Sequence, residues 1–472
     1  MRKTKIICTL GPASTNEEMI KKMLIAGMNV ARVNFSHGTH EEHGRTIDLF
    51  RSVRDGIGAA AAVMLDTKGP EIRTRDFKDG RVVLNAGQTF TLTTEELLGD
   101  ESRASITYKN LPAELKKGDE VLIDDGKLRL KVEQTTAAEI VCRVLTGGEV
   151  SNHKGINVPN VALSMEYLSN TDKEDLLFGI KKNVDYVAAS FVRRAEDVKT
   201  LREFLDANGG NDIKIISKIE NIEGIDNFEE ILDESDGIMV ARGDMGVEVN
   251  FARLPGIQKR FIKRCQQSGK TVITATQMLE SMIKSPIPTR AEITDVANAV
   301  FDGTSAVMLS GETAMGQYPA EAVAAMAKIA EQAEKDDPRF LPGSNVWYEM
   351  DSTDTTNAVG HAACTLARDI NAKAIMSITK SGYTALRMSK FRPATRLIAA
   401  TPHEKTYHQM ALLWGVYPLM VENLMNVDVL VYRCLEEGRK KGLLEKGDKV
   451  VISAGVPLDI TGMTNMIRVE LA

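Results

Sequence analysis

Lys218 and Glu220 stand two residues apart in a run where Ile213, Ile215, Ile216 and Ile219 mark a buried β-strand. A strand alternates its side chains between faces, so the lysine and the carboxylate point the same way. Burying both in so apolar a strand is costly unless they are paired or serve a ligand. A second apolar run, Gly237 to Ala241, leads into Arg242-Gly243-Asp244 and brings another carboxylate to a strand end. Glu220 and Asp244 are hard oxygen donors, suited to a Mg²⁺ ion that keeps water or substrate oxygens in its remaining positions. With Lys218 beside them they form a device for stabilising negative charge that develops on an oxygen.

Other reactive side chains follow the same pattern. Arg32, Asn34 and Ser36 alternate along one strand, Asp66 and Thr67 end another with Arg73 shortly after, and Thr276 ends a third. Arginines offer forked donors to phosphate or carboxylate. Asn34, Ser36, Asp66 and Thr67 supply oxygens of little net charge, which suits a monovalent cation. The stretch Gly243 to Gly246 heads towards a helix expected near Leu254, and free backbone N–H groups there would take a substrate carboxylate. The substrate this implies is small and doubly anionic, carrying carboxylate and phosphate. Plainer readings stand beside these: a structural Lys218–Glu220 ion pair, interior polar residues at Arg32, Asn34 and Ser36, and an ordinary strand threonine at Thr276. His40 and His43 read as solvated helix residues. Ser268-Gly-Lys-Thr271 is no phosphate loop, because Arg264 occupies the position of the required glycine. Arg242 receives no role.

Eight apolar runs outside one interruption must position these groups: Thr4–Leu10, Asn29–Phe35, Ala61–Leu65, Tyr186–Phe191, Ile213–Ile219, Gly237–Ala241, Thr271–Ala275 and Ser305–Leu309. Each precedes helical material, and eight βα units in roughly 250 residues is the arithmetic of a (β/α)₈ TIM barrel. Reacting groups then collect at the C-terminal ends of the strands. Between 71 and 166 the pattern changes to short alternating runs broken by Gly, Asp and Asn, an inserted small all-β domain. The expected organisation is barrel at 1–70 and 167–340, the β insertion at 71–166, and a C-terminal α/β domain at 341–472 reached through a linker rich in Asp, Pro and Ser. That last domain should carry helices at 356–369, 383–391, 404–415 and 426–441, with strands near 373–378, 396–399, 448–453 and 465–470.

With 472 residues, the chain exceeds what one hydrophobic core usually holds. Its 59 basic and 65 acidic residues leave a net charge of −6, which argues against a broad nucleic-acid or anionic-membrane surface. Five scattered cysteines without a CxxC pair point to a reducing compartment. No stretch resembles a signal peptide or a membrane span, so a cytoplasmic location is expected.

Five ordered segments resemble the signatures of the pyruvate kinase family. They are Arg32-Val-Asn-Phe-Ser-His37-Gly, Leu65-Asp-Thr-Lys-Gly-Pro-Glu-Ile-Arg73-Thr, Ile216-Ser-Lys-Ile-Glu-Asn221, Met239-Val-Ala-Arg-Gly-Asp-Met-Gly246 and Thr274-Ala-Thr-Gln-Met278. The resemblance spans essentially the whole chain and implies phosphoryl transfer from phosphoenolpyruvate to ADP, the last step of glycolysis, with the insertion at 71–166 a β-barrel lid domain that excludes water. It implies that Glu220 and Asp244 hold Mg²⁺ (or Mn²⁺), and that Lys218, Arg73 and Arg32 stabilise the transferring group. Arg32, Lys218, Gly243, Asp244 and Thr276 would contact substrate, with Thr276 in the relay that protonates the enolate. Asn34, Ser36, Asp66 and Thr67 would hold K⁺. Arg73, His37 and Lys154 would place the ADP/ATP phosphates. Glu71 stands where K⁺-independent members carry lysine, which implies K⁺ dependence. Thr379, Lys380, Ser381, Gly382 and Thr384 resemble the effector loop. The later loop from Gly455 to Gly462 lacks the Trp and Arg of some fructose 1,6-bisphosphate-activated relatives, and Asp459 would repel phosphate. The effector class, sugar phosphate or nucleotide, therefore stays open. Relatives imply an allosteric homotetramer, and the chain stops at Ala472 before any phosphohistidine-type domain of the sort some bacterial relatives append. An aldolase-type lyase acting through a pyruvate enolate, and a non-catalytic metabolite sensor, are the alternatives.

Overall fold

The computed structural model describes residues 2–337, 354–458 and 463–472. Most of the expected linker from Asp336 to Thr356, with the boundary at 340, and Asp459 lie outside them.

Eight parallel strands close into a barrel: β1 (Lys5–Thr9), β2 (Val30–Asn34), β3 (Ala62–Asp66), β4 (Tyr186–Ala189), β5 (Lys214–Ile219), β6 (Gly237–Ala241), β7 (Thr271–Ala275) and β8 (Ala306–Leu309). Their residues are almost all buried, because helices cover the outside and side chains fill the inside. Parity separates the two cores. Ile6, Cys8, Ala31, Val33, Val63 and Leu65 pack among the surrounding helices. Ile7, Val30, Ala62, Met64, Tyr186, Ala188, Ile216, Met239, Ile273 and Met308 pack together inside the barrel. Helix starts are fixed locally. Asn16 accepts the Met19 N–H, and Thr39, Ser169 and Thr289 each form reciprocal capping boxes.

The chain leaves the barrel after Gly69 and builds a seven-stranded sheet plus a separate hairpin-like pair, Arg81–Leu84 with Gly148–Ser151. An antiparallel bridge between Thr74 and Ile106 joins the ends of the seven-stranded sheet, so it curls round on itself over Phe90, Leu92, Val121, Leu130 and Ile140. Its stem is anchored at both ends. Gly69 (φ +72°) packs so closely that a Cβ would lie 2.9 Å from the Ser190 side chain, and its N–H donates to Asp172 (3.0 Å). On the return, buried Arg193 donates to the carbonyls of Leu163 (3.1 Å) and Met165 (2.9 Å), braced by Asp197.

After the helix Thr355–Asp369, a second sheet runs in the order β11-β10-β9-β12-β13, from β9 (Ala374–Ile378), β10 (Arg396–Thr401), β11 (Val416–Met420), β12 (Lys449–Ala454) and β13 (Met466–Leu471). Only β13 is antiparallel. Two expectations need correction here. The single helix at 404–415 is instead Glu404–Gln409 followed by a 3₁₀ turn, Met410–Leu412, and the strand β11 was not anticipated. Pro418 hides it from a propensity reading, yet proline is tolerated because β11 is an edge strand. The 3₁₀ turn has a purpose: fully buried Leu412 joins the cluster inside the barrel and seals its floor.

All five cysteines are free, and burial pushes the Cys142, Cys364 and Cys434 thiols up to about 12, which makes them poor nucleophiles. Among the described residues no helix is long and apolar enough to cross a membrane.

Candidate active site

The inward-facing residues of four strands turn from apolar to polar as each strand nears its C-terminal end. Along β2 the inward series is Val30, Arg32, Asn34; along β3 it is Ala62, Met64, Asp66; along β4 it is Tyr186, Ala188, then Ser190; along β5 it is Ile216, Lys218, then Glu220. Parallel register sets Asn34 opposite Asp66, and Asp66 opposite Ala188. Polar ends of neighbouring strands therefore converge on one mouth.

Asp66 is the hub. Arg32 Nε donates to its Oδ2 at 2.6 Å, while Lys218 Nζ (3.0 Å) and Ser190 Oγ (3.2 Å) reach its Oδ1. Burial alone would raise the Asp66 carboxyl, but Arg32 and Lys218 outweigh it and hold it below the usual value. Lys218 also donates to Ser190 Oγ (2.8 Å) and lies 3.0 Å from Glu220 Oε1. Burial opposes the Lys218 charge, yet Asp66 and then Glu220 more than compensate and raise it. Glu220 itself shifts upward, chiefly from burial and, against the pull of Lys218, from the nearby Asp244.

The two ends of the Glu220 carboxylate differ. Oε2 accepts the Phe191 N–H at 2.6 Å. Oε1 is buried and meets Lys218 only as a charge contact, with no hydrogen bond to it. Lys218 is thus held by Asp66 and Ser190, and one Glu220 oxygen is left without a hydrogen bond beside Asp244. A buried carboxylate oxygen in that condition fits a cation ligand. Among the described residues no group of three or more His, Cys, Asp or Glu is placed to hold a metal. Two carboxylates with water and substrate oxygens in the remaining positions are a donor set that fits Mg²⁺.

Thr276 follows β7 with φ +66°, and Gln277 follows with φ +53°. Left-handed backbone at a β-branched residue is a genuine outlier and costs about 1–3 kcal/mol. Its Oγ1 accepts the Gly243 N–H (2.8 Å) and donates to the Ala275 carbonyl (2.6 Å). The expectation for Gly243 to Gly246 needs adjustment: Arg242–Glu248 is itself a short helix, with Gly243 and Asp244 in its first turn.

A cleft of about 860 Å³ runs between this mouth and the inserted sheet, lined by His37, Glu71, Arg73, Lys154, Asp244 and Glu248 among others. Three of these come from the insertion and its stem. Arg73 pairs with Glu71 (2.7 Å) and donates to the His153 carbonyl (2.8 Å). Lys154 pairs with Asp124 (2.9 Å). Glu248 ties the two sides together, accepting from Asn157 of the insertion (3.1 Å) and from the Ile222 N–H (3.3 Å). Arg32, Asp66, Lys218 and Thr276 lie beside the cleft rather than along its wall. Among the candidate K⁺ ligands, Asn34 Oδ1 accepts the Ser36 N–H (3.2 Å) and Thr67 Oγ1 accepts the Ser190 N–H (3.0 Å). Strand register sets Asn34 beside Asp66, whose carboxylate already receives Arg32 and Lys218.

Residue reasoning missed Thr9 and Ser190. Thr9 Oγ1 accepts from Arg32 Nη1 (2.9 Å), and Ser190 bridges Lys218, Asp66 and Thr67. The signal was available: Thr9 follows inward Ile7, and Ser190 follows inward Ala188, by the same period of two. His40 and His43 are not simply solvated, since His40 pairs with Asp175 (2.6 Å) and stacks on Phe178, while His43 stacks on Phe35.

In the C-terminal domain Thr379, Lys380, Ser381 and Thr384 line a pocket of about 50 Å³ that also receives Glu422 and Leu424. Thr379 Oγ1 accepts the Gly382 N–H (3.0 Å), and the Thr384 hydroxyl is buried against Thr464 (2.9 Å).

The model of the pyruvate kinase barrel domain matches residues 1–323, and that of the pyruvate kinase alpha/beta domain matches residues 357–470. The chain is 48% identical over 474 residues to a pyruvate kinase of Clostridium acetobutylicum, covering 100% of both. It is 48% identical to one of Staphylococcus haemolyticus, covering 100% of this chain and 80% of that relative. A solved structure of a pyruvate kinase from Cryptosporidium parvum superimposes with a TM-score of 0.92 at 39% identity, covering 100% of this chain and 96% of the other.

Proposed function

Since the chain belongs to the pyruvate kinase family and moves the phosphoryl group of phosphoenolpyruvate to ADP, giving pyruvate and ATP, we propose how its residues divide that work. The aldolase-type lyase finds no support in these relatives. The observation that carries the assignment is the buried Arg32–Asp66–Lys218 array set against a Glu220 oxygen that lacks a hydrogen bond.

Glu220 and Asp244 hold Mg²⁺ (or Mn²⁺), which when bound supplies positive charge to the substrate carboxylate and the developing enolate oxygen. Lys218 and Arg32, fixed by their common anion, donate to the phosphoryl oxygens in flight. Being preorganised, they lose little in reorganisation as charge spreads over that group. Arg73, His37 and Lys154 line the cleft and place the ADP phosphates, so acceptor and donor meet in line. Gly243 and Thr276 hold the enolpyruvate end, and the Thr276 hydroxyl belongs to the relay that protonates the enolate at C3. Asn34, Ser36, Asp66 and Thr67 hold K⁺. The inserted sheet closes over the cleft and excludes water, which would otherwise compete with ADP. An anionic effector occupies the Thr379–Ser381 loop with Lys380, and Glu422 disfavours a second phosphate there. Five free cysteines support a cytoplasmic setting, and the homotetramer is carried over from the family resemblance alone.

Pyruvate formation from phosphoenolpyruvate, measured with Mg²⁺ and with or without ADP and K⁺, tests the scheme. Turnover requiring ADP and K⁺ is expected. Equal rates without K⁺ would remove the four-oxygen K⁺ site, and pyruvate without ADP would remove the nucleotide assignment.

A further inference from the structure

Arg242, which has no role by sequence, begins the helix that carries Asp244, and its side chain is buried. Nη2 donates to the carbonyls of Thr276 (2.6 Å) and Gln277 (3.2 Å), and Nε donates to that of Ala275 (3.3 Å). Nη1 pairs with Asp295 (2.8 Å) and reaches Gln258 Oε1 (3.4 Å). One guanidinium therefore holds three successive carbonyls of a single turn, and a carboxylate from the helix Arg290–Asp302 anchors its outer end.

The turn it holds is the strained one. Thr276 and Gln277 both have positive φ, a conformation that side-chain-bearing residues leave unless something compensates. A flat fork of donors suits this arrangement of carbonyls, and a point-like ammonium does not. From the other side, the N–H of the next residue, Gly243, donates to Thr276 Oγ1 (2.8 Å). The turn is gripped twice by consecutive residues, once through its carbonyls and once through its hydroxyl.

We propose that Arg242 is a positioning residue for the protonation step: it keeps Thr276 left-handed and fixes the Thr276 hydroxyl relative to the Asp244 helix. The inference rests on the role given to Thr276 above. In that step the enolate π pair forms a C–H bond at C3 with a proton delivered through the Thr276 relay, while the C2–O bond becomes the carbonyl of pyruvate. Because Arg242 belongs to the same helix as Asp244, the carboxylate end of the site and the hydroxyl end move as one body.

Ketonisation of enolpyruvate by the intact enzyme isolates this step from phosphoryl transfer. Run in D₂O with substrate stereospecifically labelled at C3, it also reports which face receives the deuteron. Arg242→Lys keeps a charge for Asp295 but cannot span three carbonyls. It should slow ketonisation about 10- to 100-fold, the scale of a small misplacement, and erode face selectivity. The double variant Arg242→Lys/Thr276→Ala should be no slower than Thr276→Ala alone, because the two act through one hydroxyl. Asp295→Asn, which loosens only the outer anchor, should move both readouts the same way by less, and it carries the test if Arg242→Lys does not fold. Losses that multiply in the double variant would overturn the proposal. So would wild-type ketonisation and selectivity in both Arg242→Lys and Asp295→Asn. Wild-type ketonisation and selectivity in Thr276→Ala itself would instead overturn the role of Thr276, a failure visible in that variant alone.

Discussion

At the scale of residues, the site depends on an imbalance that Asp66 creates. Asp66 takes both Arg32 and Lys218, so Lys218 is held without spending the Glu220 carboxylate. Lys218→Met should lower kcat for pyruvate formation by at least about 1,000-fold, the scale of losing a preorganised transition-state charge. Metal-dependent enolisation of pyruvate, followed by hydrogen exchange at its methyl group, should survive in part. Retention of full phosphoryl transfer would take Lys218 out of the mechanism. Glu220→Gln should weaken Mn²⁺ binding by at least about tenfold, measured by titration of the enzyme without substrate. Unaltered Mn²⁺ affinity would place the metal elsewhere. Glu71→Lys should relax the K⁺ requirement, but it also sets a cation beside Arg73, whose partner Glu71 is. A raised KM for ADP should accompany the relaxed requirement, and an unchanged K⁺ response would sink the inference.

At the scale of elements, the stem holds the inserted sheet beside the cleft. Arg193 pins the returning segment by the Leu163 and Met165 carbonyls, while Asp172 fixes Gly69 on the departing side. Arg193→Met leaves two carbonyls without their donor and leaves Asp197 only the backbone N–H of residue 193. Amide exchange in residues 159–168 should quicken, and phosphoenolpyruvate hydrolysis relative to transfer should rise, since a loose lid admits water. Exchange that matches the wild type would show that the stem is held elsewhere. Glu248 makes the complementary tie across the cleft to Asn157, so the lid is fastened at its root and touched at its edge.

At the scale of the whole molecule, the barrel floor is closed by the C-terminal domain. Leu412 enters the barrel interior, Tyr186 donates to the Gln409 carbonyl (2.6 Å), and Lys5 donates to the Val416 carbonyl (2.6 Å). Burial, and after it the charge of Arg2, pull Lys5 down to about 7 despite Glu334. Its folded value therefore lies below its unfolded one, so between pH 7 and about 10 the unfolded chain binds more protons and folding stability rises with pH. The increment from pH 7 to 9 is on the order of 2 kcal/mol. Thermal unfolding of Lys5→Met should lose that part of the pH dependence, and a slope equal to the wild type would exclude Lys5 as its source.

Much of this was legible in the chain because it is local. Period-two alternation in Val30–Arg32–Asn34 or Ile216–Lys218–Glu220 follows from strand geometry, and eight such runs with intervening helices leave little choice but a closed parallel barrel. The same parity pointed to Thr9 and Ser190 once the flanking strands were placed. Pairing was not legible. Whether Lys218 answers to Asp66 or Glu220 depends on distances between strands far apart in sequence, and β11 is a strand only because an edge position forgives Pro418. Arg242 shows the limit most plainly: its sequence neighbours predict nothing, and its function lies in three carbonyls more than thirty residues away that only the folded chain brings to it.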